Sequence, residues 1–94
     1  VRFAPPARPL PPAAFARDAQ RRGIRLAPAS QMLYGESRAW LNGEGFPLGR
    51  AARALRRLAD RRDAVVTGLR ADRELADRLY QWYRAGYIGL VARP

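Results

Sequence analysis

Cysteine, histidine and lysine are all missing from this 94-residue chain. Without cysteine there is no disulfide scaffold, no thiol nucleophile, no thiolate zinc site and no iron–sulfur cluster. Without histidine the commonest metal ligand and the commonest general base are gone as well. Long apolar runs are also absent, and none approaches the ~20 residues that a membrane-spanning helix needs. The first ten residues carry two Arg and three Pro where a signal peptide would have an apolar core. The expected compartment is therefore the cytoplasm of a bacterium. The chain starts at Val1, without Met, which leaves room for a longer parent protein.

Acids are scarce, with 8 against 18 basic residues, and they are scattered among helix ends and turns. Glu36 and Glu44 flank one turn, but beside so many cations they read as ion-paired carboxylates, not as an acid–base pair. Neither a dinucleotide nor a P-loop glycine pattern occurs, and no metal-ligand spacing is present. A free-standing enzyme is disfavoured, and the expected cofactor content of this chain is none.

What is abundant is arginine. All 18 cations are Arg, the net charge is +10, and Ala is equally frequent. Two origins fit: a GC-rich coding sequence, and a surface that attracts phosphate through its long-range field. Hydrophobic residues make up 48% of the chain, enough for a real core and too many for wholesale disorder.

The first dozen residues hold five Pro and read as an extended arm that does not fold with the rest. A helix can begin at Pro12 and end at Gly23. Ile24 to Tyr34 is mixed: Pro28 breaks it, and Met32, Leu33 and Tyr34 are expected to pack on the domain C-terminal to them. Asn42-Gly43, between Arg38–Leu41 and Glu44–Leu48, marks a type I′ hairpin, with Pro47 on a sheet edge. Gly49–Arg62 is a helix with Leu48, Ala51, Ala52, Leu55, Leu58 and Ala59 on one stripe. Val65, Val66 and Leu69 are expected inside. A second helix runs from an Asp72 cap to Gly86, burying Leu75, Leu79, Trp82 and Tyr83. Tyr87–Val91 is a short strand.

The order predicts an α+β, winged-helix-like domain: hairpin, helix, turn, helix and an edge strand that pairs with the hairpin. Residues 35–94 form this domain, and residues 1–34 are the Pro- and Arg-rich arm with its short helix. Trp40, Leu55, Leu58, Leu75, Leu79 and Trp82 are expected to share one core. Two surfaces are candidates for partners. On the last helix, Arg73, Tyr80 and Arg84 lie opposite Leu75 and Trp82, so Tyr80 reads as an exposed anchor or as one amphipathic residue on a solvated face. On the other helix, Arg50, Arg53, Arg57 and Arg61 form a basic ridge, which reads as a phosphate contact or as a solvated face.

Three stretches together resemble a known family: "MLYGESRAWLNGEGFPL", "ALRRLADRR" and "LYQWYRAGYIGL", within residues 32–91. They resemble the C-terminal winged-helix domain of bacterial cupin-type (JmjC) ribosomal oxygenases, which are Fe(II)- and 2-oxoglutarate-dependent arginine hydroxylases of a ribosomal protein. The resemblance implies a parent with a double-stranded β-helix, a helical dimerisation region and this winged helix. Its iron would be held by a His-X-Asp…His triad in the β-helix, so no catalytic residue transfers to a chain without His. The implied role is an accessory, non-enzymatic domain contacting protein: the parent's other domains or a ribosomal protein. The runner-up is a nucleic-acid-binding winged helix that uses its Arg-rich faces.

Overall fold

The computed structural model describes residues 3–92. Local signals set the helices. Helix α1 (Pro12–Arg22) starts on proline, whose missing N–H is no loss in a first turn, and ends where the Gly23 N–H donates to the Ala19 carbonyl. A 3-10 turn, Gly49–Ala51, leads into α2 (Ala52–Arg61). Helix α3 (Arg73–Ala85) is capped by Asp72, whose Oδ1 accepts from the Leu75 N–H at 3.1 Å. Its far end is a Schellman closure: Gly86, at φ 82°, donates to Tyr83 O, and Tyr87 donates to Trp82 O. No helix among the described residues is long and apolar enough to cross a membrane.

Among the described residues, six short strands form two antiparallel sheets. Strands β2 (Met32–Tyr34), β3 (Arg38–Leu41) and β4 (Glu44–Pro47) form one, in that order. Asn42 and Gly43 both have positive φ, 51° and 87°, as a type I′ turn requires. Pro47 sits on the edge strand β4, where a missing donor costs no ladder bond. The other sheet has the order β5–β1–β6, from Asp63–Ala64, Ile24–Leu26 and Ile88–Leu90. The architecture is α+β and winged-helix-like. One pairing differs from expectation. The last strand joins β1, with Ile24 opposite Leu90 and Leu26 opposite Ile88, and not the hairpin. Strand β1 therefore sits at the centre of its sheet, although it is drawn from the stretch assigned to the arm.

A boundary at residue 34/35 has no structural counterpart. Phe15, Ala19, Ile24, Leu26 and Met32 lie in the same buried cluster as Leu55, Leu58, Leu79 and Trp82. Helix α1 packs on α3, where the rings of Phe15 and Tyr83 stack at 4.5 Å. The hairpin closes the other side through Phe46, whose ring meets Trp82 edge-on at 5.0 Å. The single buried polar residue among those described, Ser30, links the two sheets. Its Oγ donates to Tyr87 O at 2.7 Å and accepts from Asn42 Nδ2 at 3.4 Å.

Trp40 departs from the expected core. The Asn-Gly turn sets Ala39 opposite Phe46 and Trp40 opposite Gly45. Phe46 points inward, and Ala39 leaves room for it. Trp40 then faces outward and remains 39% exposed. Gly45 makes a floor for the indole, because a Cβ there would lie 2.9 Å from Trp40 Nε1. By the same alternation Leu33 is turned out, at 69% exposure. Tyr34 stays largely open at the sheet edge, and Val65 sits on the surface while its neighbour Val66 is buried.

The arm also departs from expectation: residues 3–10 pack on α3. The Leu10 N–H donates to the Tyr83 hydroxyl at 2.9 Å, and the Tyr80 hydroxyl donates to Leu10 O at 2.8 Å. The ring of Phe3 meets Tyr87 edge-on at 4.8 Å. Ala4 crosses Gly86 so closely that a Cβ on Gly86 would fall 2.7 Å from the Ala4 carbonyl carbon. Proline makes this segment stiff and extended, so ordering it costs little, and two tyrosine hydroxyls satisfy the backbone of Leu10.

Stability can be probed at the core and at the arm. Leu79 is fully buried, so Leu79→Ala should cost about 2–5 kcal/mol in a urea melt. Deleting residues 1–10 removes two hydrogen bonds and the burial of Leu10 and Phe3, roughly 2–4 kcal/mol together. The melting midpoint should then fall by about 10 °C or more; an unchanged melt would mean that the arm contributes nothing.

Candidate anion-binding groove

A groove of about 880 Å³ runs along α2. Leu55 and Leu58 turn one side of α2 into the core, so residues half a turn away must face out. Arg50, Arg53, Arg57 and Arg61 all do, and all four line the groove. Along a helix such spacing separates successive guanidinium stems by about 5–6 Å. The opposite wall comes from the chain after β5, where Val65 and Thr67 face the arginines. Tyr34, at the edge of β2, completes the lining.

Two further arginines have structural duties. Arg56, which also lines the groove, donates to Glu36 O at 2.7 Å and lies over the Tyr34 ring, 5.9 Å from its centroid. Arg62 ends α2 in the left-handed region, at φ 68°, and donates to Ala27 O and Ser30 O at 2.8 and 3.0 Å. That ties α2 to the loop between β1 and β2. The four groove arginines are nearly free of acidic partners. Among the described residues only Arg57 has one within 4 Å, Asp63 at 3.9 Å, and both side chains are largely exposed, so the pair is weak. Asp60, the acid in the groove lining, is occupied: the Tyr34 hydroxyl donates to its two oxygens at 2.9 and 3.1 Å. That hydrogen bond holds the Tyr34 phenol above its ordinary pKa of 10.0; desolvation and the Asp60 charge add to the rise, and Arg56 opposes it.

The basic ridge read from the sequence is thus brought together in one groove, whereas the candidate face on α3 is not a free surface. Tyr80 is half-buried, with its ring 5.8 Å from Phe15 and its hydroxyl on Leu10. The helical wheel places this ring opposite Leu75 and Trp82, but α1 and the arm cover that side too. Arg84 lies over the Tyr80 ring at 6.0 Å, and Arg73 is exposed about two turns away. A third surface escaped sequence reading: Leu33 and Trp40, cross-strand neighbours on the outer face of the hairpin sheet. The signal was there in the Asn-Gly register, which puts the large Phe46 against Ala39 and so turns Trp40 out.

Iron of the kind held by a His-X-Asp…His triad does not fit these residues. The chain contains no imidazole, and among the described residues no three acids converge. What the site offers chemically is a concave, cationic wall suited to anions.

The fold and the groove together define a small α+β domain with a basic concavity. No protein-family model and no curated protein sequence matches the chain. Solved structures do. YcfD, a ribosomal oxygenase from Escherichia coli, superposes with a TM-score of 0.74 at 22% identity, over 98% of this chain. The same oxygenase in complex with cobalt and 2-oxoglutarate gives 0.75 at 21% over 98%, and a further crystal structure of it gives 0.72 at 22% over 96%. In each case the chain spans 26% of the oxygenase. At this identity the likeness establishes a shared fold.

The Tyr34–Asp60 contact is directly measurable. In a spectrophotometric titration one tyrosine should ionise above 10, and Asp60→Asn should bring it back toward the ordinary value. Because the folded-state pKa is raised, the hydrogen bond contributes fully to stability below pH 10. That contribution is lost as pH rises through the elevated folded-state value.

Proposed function

We propose that this chain is a non-catalytic accessory domain of a ribosomal-oxygenase-like protein and that it works by protein contact or assembly. The observation that carries this is the coverage: 98% of the chain superposes on 26% of an oxygenase. Hydroxylation of a ribosomal-protein arginine, with Fe(II) and 2-oxoglutarate, would then belong to the remainder of the parent, and the cytoplasm would be its compartment. A facial triad needs two imidazoles and a carboxylate, and these 94 residues supply no imidazole. The exposed pair Leu33 and Trp40 is the apolar surface available for the parent's other domains, and Trp is a frequent anchor of such contacts.

A second reading, nucleic-acid binding through the Arg-rich helix face, is supported by the four arginines gathered in one groove at a net charge of +10. One experiment separates the two. The chain is titrated against the separately expressed remainder of its parent protein, at low and at moderate salt. Protein contact predicts association with little salt dependence and a loss of at least tenfold for Trp40→Ala. No association, or association that Trp40→Ala leaves untouched, would count against the contact reading.

A further inference from the structure

We infer that the α2 groove holds the sugar–phosphate backbone of a single nucleic-acid strand, with Arg50, Arg53, Arg57 and Arg61 as its phosphate contacts. This rests on the second, nucleic-acid reading and specifies its site. The arginines form one row along the helix, not a cluster around a point, so they suit a linear polyanion better than a single small anion. Three of them, Arg50, Arg53 and Arg61, have no acidic partner within 4 Å among the described residues, so no internal ion pair must break before a phosphate binds. The acid in the groove lining, Asp60, is hydrogen-bonded by the Tyr34 hydroxyl and is outnumbered by the arginines around it.

The shape favours a strand over a duplex. A concavity of about 880 Å³ accommodates a few nucleotides but not a double helix, whose grooves instead receive a protruding element. Val65 opposite the arginines, 52% exposed, offers an apolar wall for sugars. Tyr34, 39% exposed at the groove, offers a ring face of the kind on which bases stack in single-strand sites. Arg56, already over that ring, extends the platform with a planar cation.

The test uses the whole chain and a labelled mixed-sequence single-stranded RNA, read by fluorescence anisotropy across a salt series. One variant replaces Arg50, Arg53, Arg57 and Arg61 with Ala; a charge-matched control replaces Arg8, Arg17, Arg21 and Arg70. All eight side chains are on the surface, and far-UV circular dichroism confirms that both variants fold. The groove variant should lose at least tenfold in affinity, and its log–log salt slope should shrink by roughly three, at ~0.7 per phosphate for a single strand. The control should keep most of both. Equal losses in the two variants would overturn the groove while leaving nucleic-acid binding intact. No binding by the unmodified chain at low salt would overturn both. A duplex bound as tightly as the strand would overturn the single-strand assignment. Polyglutamate of matched charge, bound as tightly as RNA, would overturn the nucleic-acid assignment in favour of an acidic protein.

Discussion

Burial of Leu55 and Leu58 fixes the rotation of α2, and the exposed chemistry of the molecule depends on that one constraint. The helix lies against β1, β2 and β5, with Ala51, Ala52 and Ala59 keeping the approach close. Once those leucines point inward, the intervening arginines have only the outer side available, since an unpaired guanidinium cannot be buried cheaply. Arg56 and Arg62, at the flanks of the stripe, reach back to backbone carbonyls instead. One helix thereby provides a core face, two structural clamps and a cationic wall.

Aromatic packing organises the opposite half. Trp82 and Tyr83 lie side by side on α3 but serve different neighbours: Trp82 takes Phe46 of the hairpin, and Tyr83 takes Phe15 of α1. The hydroxyls of Tyr80 and Tyr83 together clamp Leu10. The Pro-rich segment thus reaches the domain as a packed strap and not as a loose tether, which limits how freely anything joined to it can swing.

The two surfaces proposed for partners are chemically distinct. The groove is concave and cationic, whereas the Leu33–Trp40 pair is apolar and lies on the outer face of a sheet. The proposed contact with a parent oxygenase and the proposed contact with a polyanion would not compete for the same side chains. A single small domain of this fold can hold both, and their separation means each can be disabled without the other.

Much of this was legible from neighbouring residues alone. Asp72 and Gly86 bound α3, Asn42-Gly43 closes the hairpin, and the leucine stripe of α2 puts Arg50, Arg53, Arg57 and Arg61 in a row. Each of these rests on interactions within a turn or two of chain: caps, positive φ and helical periodicity. Other features were not legible, because they depend on partners far along the chain. Ile24–Leu26 has no distinctive turn chemistry, and only its pairing with Ala64 and Leu90 makes it a central strand. Strand alternation put Trp40 on one of two faces, and the match of Phe46 with Ala39 chose which one was buried. A helical wheel shows one apolar stripe on α3, but α1 and the arm supply a second covering, which is why Tyr80 is engaged. The arginine row belongs to α2 and the 3-10 turn that leads into it, yet it becomes a groove only because the chain after β5 returns alongside it. Short-range chemistry settles where elements begin and end, while burial against distant segments settles which of their faces remain open to a partner.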